Sequence, residues 1–169
     1  MTHDVTWLNS LSPEEAVEQL KACCGSDRWA RNVASRRPFE SLEQLLSQAQ
    51  DVWGALAPAD WLEAFRSHPK IGEQKAGVTA SRQSDQWSQN EQAGTHGASE
   101  ETAASLANLN AQYQDRFGYI FIVCATGKSA EEMLAILRER LENDTAVEIR
   151  TAAAEQAKIT DLRLRKLID

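Results

Sequence analysis

The sequence predicts an all-α fold, a single-domain helical bundle with one buried extended connecting segment. Three observations predict it. Helix-start signals recur along the chain, apolar residues repeat at helical spacing behind them, and a single stretch breaks the pattern. That stretch is Phe117-Gly118-Tyr119-Ile120-Phe121-Ile122-Val123-Cys124-Ala125, apolar, aromatic and β-branched. No second clear strand offers it a sheet partner. Its backbone N–H groups must therefore find other partners, and an acceptor-rich ligand would serve.

The elements follow in order. Ser12-Pro13-Glu14-Glu15 combines an N-cap, a proline at the first helical position and a glutamate three after the cap. Val17, Leu20 and Cys24 mark one face of that helix, and Gly25 is its expected stop. Ser41-Leu42-Glu43-Gln44 is a second capping box, followed by Leu42, Leu45, Leu46, Ala49, Trp53 and Leu56 at helical spacing. A short third helix starts near Pro58 and carries Trp61, Leu62 and Phe65 to a stop at His68-Pro69. Residues 72–80 read as a loop. Residues 81–93 are polar yet hold no proline or glycine, so they form either an exposed helix or one whose polar face lines a site. Residues 94–98 are a second break. Leu106, Leu109, Tyr113 and Phe117 form the next stripe. Ser129-Ala130-Glu131-Glu132 caps a helix burying Met133, Leu134, Leu137 and Leu141, and Thr145-Ala146-Val147-Glu148 caps the last one, expected to run nearly to the C-terminus.

The 169 residues suffice for one domain with a real core, and no repeat or linker divides residues 1–169. The net charge of -7 argues against non-specific nucleic-acid binding. It leaves room for an anionic small molecule met by a local arginine. The start of the chain has no basic region followed by an apolar run, so no signal peptide is expected, and no stretch is apolar enough to span a bilayer. The three cysteines Cys23, Cys24 and Cys124 fit a reduced cytoplasmic protein. Cys124, within an apolar run, reads as core. The five tryptophans read as packing residues. Zinc spacings of the CxxC or HExxH kind are absent from the sequence. Gly127-Lys128-Ser129 looks like the end of a phosphate-binding loop, but Ile122 stands where its first glycine belongs. His96 is expected to be solvated and His3 to lie in a frayed terminus.

Three signals carry chemistry. His68 sits at a helix end on a backbone constrained by Pro69, either as a proton handler near neutral pH or as a C-cap answering the helix dipole. Ser88, Glu91 and Gln92 share one helix face at i, i+3 and i+4. A hydroxyl, a carboxylate and an amide side by side can position a polar, nitrogen-rich molecule, or can face solvent. Arg163 lies four residues from both Ile159 and Leu167, along an apolar stripe. A guanidinium there needs an anionic partner, either a structural carboxylate or a substrate carboxylate. Arg165 and Lys166 read as solvated surface.

Together the landmarks Arg37-Pro38-Phe39, His68-Pro69-Lys70-Ile71-Gly72, Ser88 to Gly94, residues 117–125 and Lys158 to Leu164 resemble one family, in that family's order and over nearly the whole chain. It is the family of 2-oxo-4-hydroxy-4-carboxy-5-ureidoimidazoline (OHCU) decarboxylases of uric acid degradation. The resemblance implies an all-α protein that uses no cofactor and no metal and converts the small molecule OHCU to (S)-allantoin with loss of carbon dioxide. It implies that His68 and Glu91 are the catalytic pair, that Ser88 and Gln92 bind substrate, and that Arg163 meets its negative charge. It also assigns Pro69 and the backbone of Tyr119, Ile120, Phe121, Ile122 and Val123 to the pocket. Ile120 departs from the proline that some members carry, which restores an N–H. A homodimer is implied as well. The competing expectations are a helical module that binds a ureide or purine-derived ligand without turnover, and a cyclic-amide hydrolase with Glu91 activating water.

Overall fold

A computed structural model of the protein describes residues 3–71, 82–95 and 97–168. The loop expected over residues 72–80 and the placement of His96 lie outside the described residues. The described elements are α1 (Val5–Ser10), α2 (Pro13–Cys23), α3 (Asp27–Ala34), α4 (Leu42–Gly54), α5 (Pro58–Arg66), α6 (Arg82–Glu91), a 3-10 turn (Ala93–Thr95), α7 (Glu100–Phe117), α8 (Ala130–Arg140) and α9 (Thr145–Leu167). Among the described residues there is no strand. The chain groups into two compact units, Met1–Ala64 with Ala157–Asp169, and Phe65–Gln156.

Local chemistry fixes the helix starts. Ser12 and Ser129 each form a complete capping box, with Glu15 and Glu132 reaching back to the cap N–H. Asp4, Ser26, Ser41 and Ser99 each accept a hydrogen bond from the third helical residue, Trp7, Trp29, Gln44 and Thr102. Gly118 ends α7 in the left-handed region at φ 85°, where a side chain would be strained. α2 stops one residue earlier than expected, because Cys24 turns to extended backbone before Gly25 is reached. α1 and α3 were not foreseen. Each is too short for periodicity to emerge; α1 rests on its cap and buried Leu8, and α3 on its cap and buried Trp29, Ala30, Val33 and Ala34.

In the first unit α3 packs against α2 and α4. Trp29 is fully buried, and its indole N–H donates to the Ala49 carbonyl at 3.1 Å. The landmark Arg37-Pro38-Phe39 is structural here. Arg37 Nη1 donates to the Leu8 and Leu11 carbonyls, both at 2.8 Å, and its Nε to Ala34 at 3.0 Å. One guanidinium thus closes the open ends of α1 and α3. The Arg37–Pro38 bond is cis, and the Asn9 amide grips Phe39 through both its N–H and its carbonyl.

In the second unit α7 packs against α8. Phe65, Tyr113, Phe117, Tyr119 and Phe121 form an aromatic cluster, with Tyr113 standing edge-on to Tyr119 at 5.8 Å and to Phe121 at 5.5 Å. Thr145 opens α9, but Glu148 does not reach back as a cap. It is fully buried and accepts from Arg140 and from the Tyr113 hydroxyl, the latter at 2.5 Å. A capping-box pattern and a buried acid look alike in sequence. The buried guanidinium of Arg140, at the end of α8, decides between them.

Candidate active site

His68 follows the last turn of α5. Its N–H donates to the Phe65 carbonyl at 3.3 Å, and its half-buried ring places Nε2 2.6 Å from Gln156 Oε1. Ile71, just beyond, is buried, and its carbonyl accepts from the Asn110 amide at 3.2 Å. The stretch Pro69 to Ile71 is therefore tied down at both ends.

α6 resolves the ambiguity of residues 81–93. Ser84, Trp87, Ser88 and Glu91 are buried, whereas Gln83, Gln86, Gln89 and Asn90 are exposed. The inward stripe of this very polar helix is itself mostly polar. Burying a hydroxyl or a carboxylate costs free energy unless it is partnered, and a buried face of this composition can hold a polar molecule. Gln92 is half-buried at the helix end. Ser84, one turn before Ser88, belongs to the same stripe, and the sequence reading missed it. The i−4 spacing from Ser88 is the signal that could have found it.

The turn after α6 is held by a close approach. A Cβ built on Gly94 would lie 1.9 Å from the Lys128 carbonyl oxygen, so only glycine lets the two backbones meet. Lys128 Nζ in turn donates to the Cys124 carbonyl at 2.6 Å, and Glu155 accepts from the Cys124 N–H at 3.1 Å. Residues 119–125 are largely buried without being a strand. Side chains supply what a sheet would have supplied. Arg140 donates to the Ile122 carbonyl and stacks its guanidinium 4.7 Å over the Phe121 ring. Burial pushes the Cys124 thiol above its usual range. Lys128 opposes that shift, and the carboxylates of Glu155 and Glu91 add to it, which places Glu91 within electrostatic reach of this segment.

Burial also works against the charge of Arg140, but the hydrogen bonds and charge of Glu148 outweigh it and keep the guanidinium ionised. Burial pushes the Tyr113 phenol up, and its bond to Glu148 pushes it further, so it stays a donor. None of Gln156, Glu155, Arg140 and Glu148 was singled out from sequence. Gln156 is the one with a legible signal, since it lies seven residues before Arg163 and so on the same side of α9.

His68, Pro69, Ser88, Glu91, Gln92 and residues 119–123 all belong to the unit Phe65–Gln156. Arg163 belongs to the other unit. It is almost wholly buried, as the apolar stripe required, among Ile159, Leu164 and Leu167, which are buried too. Its Nη1 donates to the Ala22 carbonyl at 3.3 Å. Arg165 and Lys166 are exposed, and Arg165 pairs with Asp161 at 2.7 Å.

The sequence model of the family described as OHCU decarboxylase matches residues 9–165. The chain is 39% identical over 161 residues to the uric acid degradation bifunctional protein TTL of Arabidopsis thaliana, covering 93% of this chain and 48% of that protein, so it spans about half the length of that relative. It is 34% identical to the 2-oxo-4-hydroxy-4-carboxy-5-ureidoimidazoline decarboxylase of Amia calva, covering 98% of this chain and 94% of that one. Its backbone superposes with a TM-score of 0.76, at 36% identity, on a crystal structure of OHCU decarboxylase in the presence of (S)-allantoin, over 89% of this chain and 97% of that chain.

Proposed function

This chain belongs to the OHCU decarboxylase family, and on that premise we propose that it removes carbon dioxide from OHCU to give (S)-allantoin in urate degradation. The observation that carries the proposal is the buried polar stripe Ser84, Ser88 and Glu91, in the same compact unit as His68 and residues 119–123.

The chemistry suits such residues. The substrate carries a carboxylate and a hydroxyl on one ring carbon, next to a C=N bond. When the carbon–carboxylate bond breaks, its electron pair moves into the neighbouring carbon–carbon bond, and the C=N electrons move onto nitrogen, which takes a proton. Transfer of the hydroxyl proton and protonation of the neighbouring carbon then give the carbonyl and the new C–H bond. The substrate is its own electron sink. The protein supplies orientation, charge stabilisation and proton handling.

In the proposed assignment His68 and Glu91 handle the protons. Ser88, Gln92, the Pro69 backbone and the backbone of Tyr119 to Val123 hold the ring and the ureido group, and Arg163 meets the substrate's negative charge. Delivery of the proton to one face fixes the S product. The burial of Ser88 and Glu91 and the constrained backbone around His68 support these roles.

We propose further that residues 1–169 act as one domain, which the unbroken family match over 9–165 supports. A cytoplasmic location is supported by Cys23, Cys24 and Cys124, which are buried and form no disulfide among the described residues, and a homodimer by the family resemblance. No helix among the described residues is long and apolar enough to cross a membrane.

The test uses OHCU generated in the cuvette from urate by the two preceding enzymatic steps, followed by circular dichroism. Rapid appearance of one allantoin enantiomer above the slow racemic background is the expected result. Folded protein that leaves the background rate unchanged would overturn the proposal and favour a binding module.

A further inference from the structure

We propose that Gln156 is a positioning residue for His68, whose side-chain oxygen holds the imidazole with Nε2 protonated and so leaves Nδ1 as the acceptor of the ring. The inference deepens the reading of His68 as a proton handler and rests on it.

Gln156 Oε1 lies 2.6 Å from His68 Nε2, and the Gln156 side chain is fully buried. A neutral imidazole has one donor and one acceptor nitrogen, and the partner of one nitrogen decides the role of the other. An amide oxygen can only accept. It therefore stabilises the tautomer that carries hydrogen on Nε2, and it is too weak a base to take that proton. A carboxylate at the same place would fix the ring too, but it would add a negative charge and raise the basicity of the imidazole. Glutamine orients without adding charge.

The anchor is rigid on both sides. Gln156 lies well inside α9, far from its fraying ends, and is surrounded closely enough to exclude solvent. The backbone of His68 is restrained by its bond to Phe65 and by Pro69. The ring is thus held at its Nε2 edge, and a proton kept there makes Nδ1 the acceptor nitrogen.

The test begins with the wild-type protein labelled with 15N-histidine. Long-range proton–nitrogen NMR reports which ring nitrogen carries hydrogen, and the His68 signals are assigned by their absence from His68→Asn. The Nε2–H tautomer is expected. Gln156→Met removes the acceptor while keeping a long unbranched side chain. It should give a mixture of tautomers and lower kcat by roughly 10- to 100-fold, as loss of an outer partner of a functional histidine does, with KM within about twofold. Gln156→Glu restores an acceptor and should recover the Nε2–H tautomer and part of the turnover. A glutamine that merely packs would lower the melting temperature and leave the tautomer alone. The Nδ1–H tautomer in the wild type, or an unchanged tautomer in Gln156→Met, would overturn the proposal. If Gln156→Met does not fold, the wild-type tautomer and that of Gln156→Glu decide. The NMR needs no substrate, so an Nε2–H ring in a protein without turnover would reject the decarboxylase reading and leave the role of Gln156 standing.

Discussion

A side chain proposed to move a proton and one that keeps its proton need opposite surroundings, and His68 and Cys24 illustrate the two. His68 is half-buried, hydrogen-bonded through its ring and placed beyond a helix end. Asparagine there keeps a polar group of similar reach but cannot exchange a proton. His68→Asn should lower kcat by about 10²–10⁴-fold, the usual range for loss of a general acid–base group, with the melting temperature little changed. Near-normal turnover in the dichroism assay would reject the role. Cys24 is the opposite case. Burial pushes its thiol up to about 11, although bonds from Ser26 and Thr160 and the charge of Arg163 pull it back. The unfolded chain releases the same proton near the ordinary value of 9.0. Between those two values the unfolded state loses its proton first, so stability falls as the pH rises through the window. The loss is on the order of 2–3 kcal/mol across it. Cys24→Ala removes this term. Urea midpoints measured at pH 8 and pH 10.5 should therefore drop less for the variant than for the wild type, and equal drops would exclude the thiol as the cause.

At the scale of elements, the buried Arg140–Glu148 pair joins three helices to the irregular segment. Arg140 ends α8, Glu148 lies in the first turn of α9, Tyr113 reaches Glu148 from α7, and Arg140 bonds the Ile122 carbonyl. Backbone that lacks a sheet partner is held here by side chains that are themselves ion-paired. Removing one member leaves an uncompensated buried charge, which costs about 3–5 kcal/mol. For a chain of this size each kcal/mol moves the melting temperature by roughly 2–4 °C. Glu148→Gln should therefore melt about 6–20 °C below the wild type in a calorimetric or dichroism scan. A shift of a degree or two would mean that solvent or another group compensates Arg140. Such a pair cannot be read from Ala146-Val147-Glu148, because the same letters also spell a helix cap.

For the molecule as a whole, the parts legible in the sequence are those governed by local rules. Ser12, Ser41 and Ser129 cap helices through bonds that span three residues, and the Ile159–Arg163–Leu167 spacing implied the burial that Arg163 has. What escaped was long-range. The grip of Arg37 on Leu8 and Leu11, the hold of Gln156 on His68 across 88 positions and the bond from Tyr113 to Glu148 each depend on a partner far away in sequence. The polar helix 82–91 lay between these cases, since its lack of proline and glycine allowed a helix without showing whether its polar face turned inward or to solvent. Cooperativity is the property that belongs to this scale. The two compact units share α9, a 23-residue helix whose residues up to Gln156 belong to one and whose remainder belongs to the other. A helix cannot fray at its centre without losing hydrogen bonds on both sides of the break, so the unfolding of one unit should carry the other with it. Tryptophan position makes this measurable. Trp7, Trp29, Trp53 and Trp61 lie in the first unit and Trp87 alone in the second, whereas far-ultraviolet dichroism reports helices throughout. In a Trp87→Phe variant fluorescence therefore follows the first unit only. Its urea transition should coincide with the dichroism transition if the chain unfolds as one domain, and two separated midpoints would show that α9 divides between independent folding units.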